Sequence, residues 1–448
     1  MPKYACLPLV AVTLGLAVST PVAAEETTKR YIVHFDEAMT AKANAPEAVR
    51  ATAQGGSPSW HVRRLAAGGE LFDLSAAEAD AMAASPGVVA VEEDRMVDLA
   101  GAIIDSLWPR QWYMHDPKVG IEARVAWNDT RGRGAVVAVL DTGVTPHPEF
   151  DGQLLPGYDF IADAQAARDG DGRDPDPTDE GDWVEPGECG ARKGSPSSWH
   201  GTHVTGIVVA RVGNTPGVVG VAPEAKVVPV RVMGRCGGRL SDVADAIVWA
   251  SGGEVAGVPG RAPVDVINLS LRVPGACSMT MGRAIAQARA RGTAVVAAAG
   301  NDSIKASGVS PANCPGVVSV AALARDGSMA WYSNYGDGVT VAAPGGSLGQ
   351  MGIDDILSAV DGGDRGRQRP IFKYYAGTSM ASPQVAGLVA LMRSADPFIG
   401  VDQITAQLVD NARPLPGPCP KGCGAGLIDA GATVNAVVED SIISGPRS

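Results

Sequence analysis

The chain has 448 residues and a formal net charge of −12; 45% of its residues are hydrophobic, 19% charged and 5% aromatic. That balance supports a core of Ala, Val, Leu and Ile in more than one folding unit, and 56 Gly with 32 Pro stays below the level of a disordered low-complexity chain. The acidic balance argues against a nucleic-acid partner, which needs a concentrated basic face, and the presence of a single long apolar stretch excludes a transporter of many membrane-spanning helices.

That stretch lies at the N-terminus. Lys3 precedes the apolar residues 7–18, and Val22-Ala23-Ala24 precede Glu25-Glu26. A basic start, a short apolar core and a small-residue exit describe a secretory signal peptide, so residues 1–24 are expected to be removed after Ala24. A membrane anchor is the alternative, but the apolar core is shorter than the roughly 20 residues a span needs. The expected product is extracellular, with no membrane partner. Six of the 7 cysteines remain in it: Cys189, Cys236, Cys277, Cys314, Cys419 and Cys423. An even number in an exported chain predicts disulfides, and their connectivity is open at this stage.

Residues 25–104 read as a small α+β module. The spacing predicts strands over 31–35, 69–74 and 88–91, an Ala-rich helix over 41–52, and a helix over 75–84. Ser75-Ala76-Ala77-Glu78 is a capping box for the last of these, and Pro86-Gly87 ends it. Alternating strands and helices of this size predict a ferredoxin-like split βαβ unit. Residues 99–107 read as a linker.

From 105 to 448 short, Val-rich segments without alternation recur at 136–140, 227–232, 264–269, 294–299, 317–322 and 339–342. Strands covered on both faces have this pattern. Helices are predicted over 241–250, 279–291 and 380–393. The expected fold is α/β, a mostly parallel sheet flanked by helices, with its chemistry at the carboxyl ends of the strands.

Three segments carry that chemistry. Val137-Ala138-Val139-Leu140-Asp141-Thr142-Gly143 delivers one carboxylate at a strand end, where a plain turn-former is also common. His200-Gly201-Thr202-His203 enters an apolar helix; a zinc helix would want its histidines at i, i+4 with an intervening Glu, and has neither here. Gly377-Thr378-Ser379-Met380-Ala381-Ser382-Pro383 places Ser379 where a loop becomes a helix, either as a nucleophile at the positive end of the dipole or as a simple cap. A lipase elbow is absent, since Ser379 lacks the flanking Gly-x-Ser-x-Gly pattern.

In the order Asp141, His200, Ser379, these segments resemble the subtilisin family of serine proteases (subtilases) over most of 111–438. The resemblance implies a secreted serine endopeptidase acting on protein and peptide substrates as a monomer. Asp141 would orient and His200 would act as the base, with its pKa near the ordinary 6.5, while Ser379 would be the nucleophile. Asn301, after Ala297-Ala298-Ala299-Gly300, matches the family's oxyanion residue, with an ordinary turn residue as the alternative; His203 reads as structural. Ser270, Leu271, Ala299 and Gly300 are expected to bind substrate. Arg272-Val273-Pro274 stand where relatives usually carry glycines, and Arg272 is expected to bias one subsite toward acidic side chains.

The resemblance also implies that 25–104 is an inhibitory prodomain, released by cleavage within 97–107, with an independent binding domain as the alternative; no accessory domain is expected after Val438. It suggests pairing Cys189–Cys236, Cys277–Cys314 and Cys419–Cys423. Calcium is the expected cofactor. Asp169, Asp171, Asp174, Asp176 and Asp179 crowd one loop; it cannot be an EF-hand, because Asp174 occupies the obligatory Gly position and Pro175 and Pro177 stiffen the chain. Asn214, in a loop similar in length to the family's calcium loop, and Glu149 suggest a second site.

Overall fold

The computed structural model describes residues 29–36, 61–65, 68–94, 105–348 and 352–444. The expected signal peptide, the 41–52 helix and most of the linker lie outside them. The chain divides into two compact units, Met1–Gly101 and Ala102–Ser448.

The first unit contains β1 (Lys29–Phe35), β2 (His61–Arg64), β3 (Glu70–Leu74), α1 (Ala76–Ala83) and β4 (Val88–Glu93). The order across the sheet is β2-β3-β1-β4, antiparallel throughout, which is the ferredoxin-like arrangement. The capping box forms: Glu78 N donates to Ser75 Oγ and Ser75 N to Glu78. Val33, Phe72, Leu74, Ala79 and Met82 make its core. Strand β2 was not expected; its four residues, His-Val-Arg-Arg, show no apolar alternation.

The second unit is built on a seven-stranded sheet. Its strands are β5 (Val136–Asp141), β6 (Tyr158–Asp159), β7 (Lys226–Arg231), β8 (Val266–Leu269), β10 (Ala294–Ala298), β12 (Val318–Leu323) and β13 (Val341–Pro344). They lie in the order β13-β12-β10-β8-β5-β7-β6 and all run parallel. Successive residues of β5 feed opposite faces. Val137 and Val139 enter the core shared with α2 (His200–Val209) and α5 (Thr378–Ala395), while Ala138 and Leu140 enter the one shared with α3 (Leu240–Ala250) and α4 (Met279–Ala290). Both faces are therefore dry, which is why the strands read as continuous apolar runs. The chain adds β7 on one side of β5 and β8 on the other. Such a reversal opens a crevice at the carboxyl ends of the strands.

The remaining elements frame this layered core. Strands β9 (Val273–Pro274) and β11 (Val309–Ser310) pair with each other, and β14 (Ile356–Asp361) with β15 (Pro370–Tyr375), both antiparallel. Helices α6 (Val401–Asp410) and α7 (Ala430–Ser444) follow. Among the described residues no helix is long and apolar enough to cross a membrane. Cys189–Cys236, Cys277–Cys314 and Cys419–Cys423 are bonded, the pairing the resemblance suggested. Replacing Cys277 and Cys314 together by Ser, which frees a 37-residue span, is expected to lower unfolding stability by about 4 kcal/mol on chain-entropy grounds. A denaturant titration against the parent reads this directly.

Candidate active site

Strand β5 ends in Asp141, which is buried. Its Oδ1 accepts from Thr142 N at 2.8 Å and from His200 Nδ1 at 2.7 Å. An ionised carboxylate can only accept, so Nδ1 carries the proton and Nε2 of the neutral ring is left as a base. His200 is the first residue of α2, reached through Trp199 with a φ of +49°. At Gly201 a Cβ would collide with the Gly143 carbonyl, so only glycine lets the helix start against the Asp141 turn. The Gly201 N–H donates to Thr142 Oγ1 at 2.9 Å, and the Thr142 hydroxyl donates to Asp179 Oδ2 at 2.6 Å.

The ionisation of His200 is set by opposing causes. Burial works against its charged form, but the charge and hydrogen bond of Asp141, with Asp182 and Asp179 behind them, prevail and raise the pKa above 6.5. The expectation of an ordinary value is corrected accordingly. His203 goes the other way: buried, with Nε2 3.0 Å from the Ile356 carbonyl and its ring stacked on Tyr375, it is pushed down to about 3. It ties α2 to the β14–β15 hairpin.

Ser379 is the second residue of α5. Gly377 holds the cap position and no side chain caps the helix, so Ser379 is not the cap. Its hydroxyl donates to the Ser270 carbonyl at 3.3 Å, just beyond the end of β8. Ser270 reciprocates, its own hydroxyl donating to the Ser379 carbonyl at 2.9 Å. That carbonyl needs a donor because Pro383, four residues on, has no N–H to give it. Asn268 Nδ2 in turn donates to Ser270 Oγ at 2.9 Å, and Ser382 Oγ lies 3.0 Å from it.

Asn301 follows β10. Its Oδ1 accepts from Thr378 N at 2.9 Å and from Thr378 Oγ1 at 2.7 Å, which turns Nδ2 the other way. A Cβ built on Gly377 would lie 3.3 Å from Asn301 Nδ2 and 3.6 Å from Ser379 N, so two N–H donors flank one point beside the Ser379 backbone. The loop carrying Asn301 is held by Asn334, a fully buried residue that the sequence pattern did not single out. Asn334 Nδ2 donates to the Ala299 carbonyl at 2.8 Å, and its Oδ1 accepts from Asp302 N and Ile304 N at 3.0 and 3.1 Å. Gly300 has a φ of +104°, and a Cβ there would strike that amide.

The subtilase family model matches residues 132–428, a span containing all of these groups. The chain belongs to the subtilase family of serine proteases. It is 46% identical over 438 residues to an extracellular protease of Xanthomonas campestris, covering 93% of this chain and 74% of the relative. To an extracellular basic protease of Dichelobacter nodosus it is 41% identical over 379 residues, 82% of this chain and 61% of the relative. Among solved structures, proteases from Pseudoalteromonas arctica superpose with a TM-score of 0.74 at 46% identity, over 75% of this chain and 100% of theirs.

In this subtilase the expected substrate-binding residues Ser270 and Leu271 follow β8, while Ala299 and Gly300 follow β10, the strand paired with it. Arg272 does not stand as a free cation: its Nη2 is 2.9 Å from Asp302 Oδ1. The acidic residues of the loop from Asp169 to Asp179 do not all gather at one point. Asp169 and Asp174 join Asp159, with carboxylate oxygens within 4.8 Å of one another. Part of their charge is met internally, because the fully buried Arg231 lies 2.7 Å from both Asp159 and Asp169. Asp171 N and Thr178 N turn onto Asp169 and Asp176 respectively. Asp179 stands apart from that cluster, buried behind Thr142, where burial raises its pKa to about 7.

At the other suggested site, Glu149 Oε1 accepts from Val218 N at 3.2 Å, while Glu149 Oε2 and Asn214 Oδ1 are buried with no hydrogen-bond partner. Asp105, not foreseen, accepts from Gly213 N and Asn214 N. Two orphaned oxygens in a hard-oxygen donor set fit a calcium ion.

Titration of the His200 ring by NMR is expected to give a pKa above 6.5, and Asp141→Asn is expected to lower it by removing the charge that stabilises the imidazolium. An unchanged value in the variant would detach Asp141 from that role.

Proposed function

We propose that this subtilase is an exported endopeptidase that hydrolyses protein peptide bonds through an acyl-enzyme intermediate, with Asp141, His200 and Ser379 as its catalytic residues. The 2.7 Å hydrogen bond from His200 to the buried Asp141 carries the reading, since it presets the tautomer a general base needs. On substrate binding the Ser379 hydroxyl rotates from the Ser270 carbonyl toward His200 Nε2. As Oγ attacks the substrate carbonyl, its proton passes to Nε2 and the imidazolium is held by Asp141. His200 then gives that proton to the leaving amine as the C–N bond breaks. Water repeats the sequence on the ester, which restores the hydroxyl and releases the acid.

Negative charge on the carbonyl oxygen is met by Asn301 Nδ2 and Ser379 N–H. Catalysis gains most from donors fixed before charge develops, and the Thr378 and Asn334 bonds fix these. Segment 1–24 acts as the export signal and 25–104 as an inhibitory prodomain severed between 97 and 107; the separate ferredoxin-like unit supports this. Extracellular action accords with the names of both relatives. Calcium would be held by Glu149, Asn214 and Asp105, where it would neutralise buried carboxylates and tie the 213–218 loop to the body; Asp159, Asp169 and Asp174 are the candidates for a further ion.

A serine-directed phosphonylating reagent is expected to leave its adduct on Ser379, and Ser379→Ala is expected to leave casein whole and the chain unprocessed. An adduct elsewhere, with casein still cut by the variant, would refute the assignment. Asn301→Ala is expected to cost about 2.7–4 kcal/mol of transition-state stabilisation, a magnitude that comes from a subtilisin and so from the family; kcat at saturating substrate reads it. Excess EDTA is expected to lower the thermal midpoint, and calcium at about 100 times its Kd to restore about 2.7 kcal/mol. Equal midpoints with and without EDTA would remove the metal.

A further inference from the structure

The hydrogen bonds around Ser379 locate the space that a bound acyl group must occupy. One wall is the chain leaving β8, with the Ser270 carbonyl 3.3 Å from Ser379 Oγ. The other is the chain leaving β10, fixed through the 2.9 Å bond from Thr378 N to Asn301 Oδ1. Leu271, Ala299 and Gly300 on these walls are buried. Arg272 follows Leu271 on one wall and Asp302 follows Asn301 on the other, and their side chains meet at 2.9 Å while remaining 41% and 29% exposed.

Resting on the protease reading above, we propose that the Arg272–Asp302 ion pair spans the mouth of the pocket that receives the substrate side chain on the acyl side of the cleaved bond, and that it selects for uncharged side chains there. Each charge cancels the other's pull on an incoming side chain. An acidic residue that approaches Arg272 meets Asp302 as well, and a basic residue that approaches Asp302 meets Arg272. This replaces the expectation that Arg272 alone draws acidic residues.

Neither partner depends on the pair for its position. Beyond Arg272, β9 pairs with β11, Gly275 N donates to the Gly308 carbonyl at 2.8 Å, and Cys277 is bonded to Cys314. The Asp302 N–H is held by Asn334 at 3.0 Å. Removing one charge should therefore expose the other without dismantling the walls. At a half-exposed site an uncompensated unit charge a few ångströms away is worth about three- to tenfold in relative rate.

The test compares kcat/KM of the full-length expressed and processed enzyme on three quenched peptides that differ only in the acyl-side residue: Leu, Lys or Glu. The parent is expected to prefer Leu over both charged residues. Arg272→Gln is expected to raise Lys relative to Leu by about three- to tenfold and leave Glu low; Asp302→Asn is expected to do the reverse. The exchanged pair, Arg272→Asp with Asp302→Arg, is expected to return toward the parental order. Parallel changes on all three peptides in both single variants would overturn the inference, as would a parent that already favours Glu. A parent that cuts none of the three would instead sink the protease reading on which it rests.

Discussion

A carboxylate buried at the end of a dry strand is costly unless its charge is met, and Asp141 is such a group. Its Oδ1 is satisfied by Thr142 N and His200 Nδ1, but its Oδ2 is buried with no hydrogen-bond partner. Removing one member of a buried charged pair leaves the other uncompensated. In the proposed mechanism the same incomplete satisfaction has a chemical use, because a positive charge arriving on His200 would be stabilised by a carboxylate that has few other partners. The rest of the site follows from holding one imidazole against that oxygen.

The supports share a logic. Each repairs a regular hydrogen bond that the site geometry removes, and in doing so fixes a group to which the proposed mechanism gives a role. Pro383 frees the Ser379 carbonyl, and Ser270 fills the gap from the chain that also accepts the Ser379 hydroxyl. The chain must turn sharply after β10 to present Asn301, and Asn334 collects the backbone groups left over by that turn. The Thr142 hydroxyl donates its hydrogen bond to Asp179 and so offers a lone pair to the first turn of α2. Polar groups buried in such networks must all be satisfied, or their low-dielectric setting makes them destabilising.

The parts of this molecule that were legible in the sequence are those with local signatures. Buried parallel strands show as uninterrupted Val-rich runs, so six strands of the central sheet were placed within two residues; the two-residue β6 is too short to leave a pattern. The Ser75–Glu78 box announced α1. The β14–β15 hairpin was missed because residues 362–369 separate Ile356–Asp361 from Pro370–Tyr375, without the two-residue turn that marks a hairpin in sequence. Asp141, His200, Ser379 and Asn301 were visible through family motifs. Asn334, Asp105 and Arg231 were not, because each acts on chain far away in sequence: Asn334 on 299–304, Asp105 on 213–214, and Arg231 on Asp159 and Asp169. The same holds for Arg272, whose departure from the family pattern was plain but whose partner, thirty residues on, was not.

The central claim is that the imidazole and the hydroxyl act as one proton-transferring unit. The direct measurement is kcat for His200→Ala, for Ser379→Ala and for the double variant under identical conditions. A unit predicts that the second substitution costs nothing further once the first is made. Losses that multiply would mean that the two side chains work independently, and the account would be wrong.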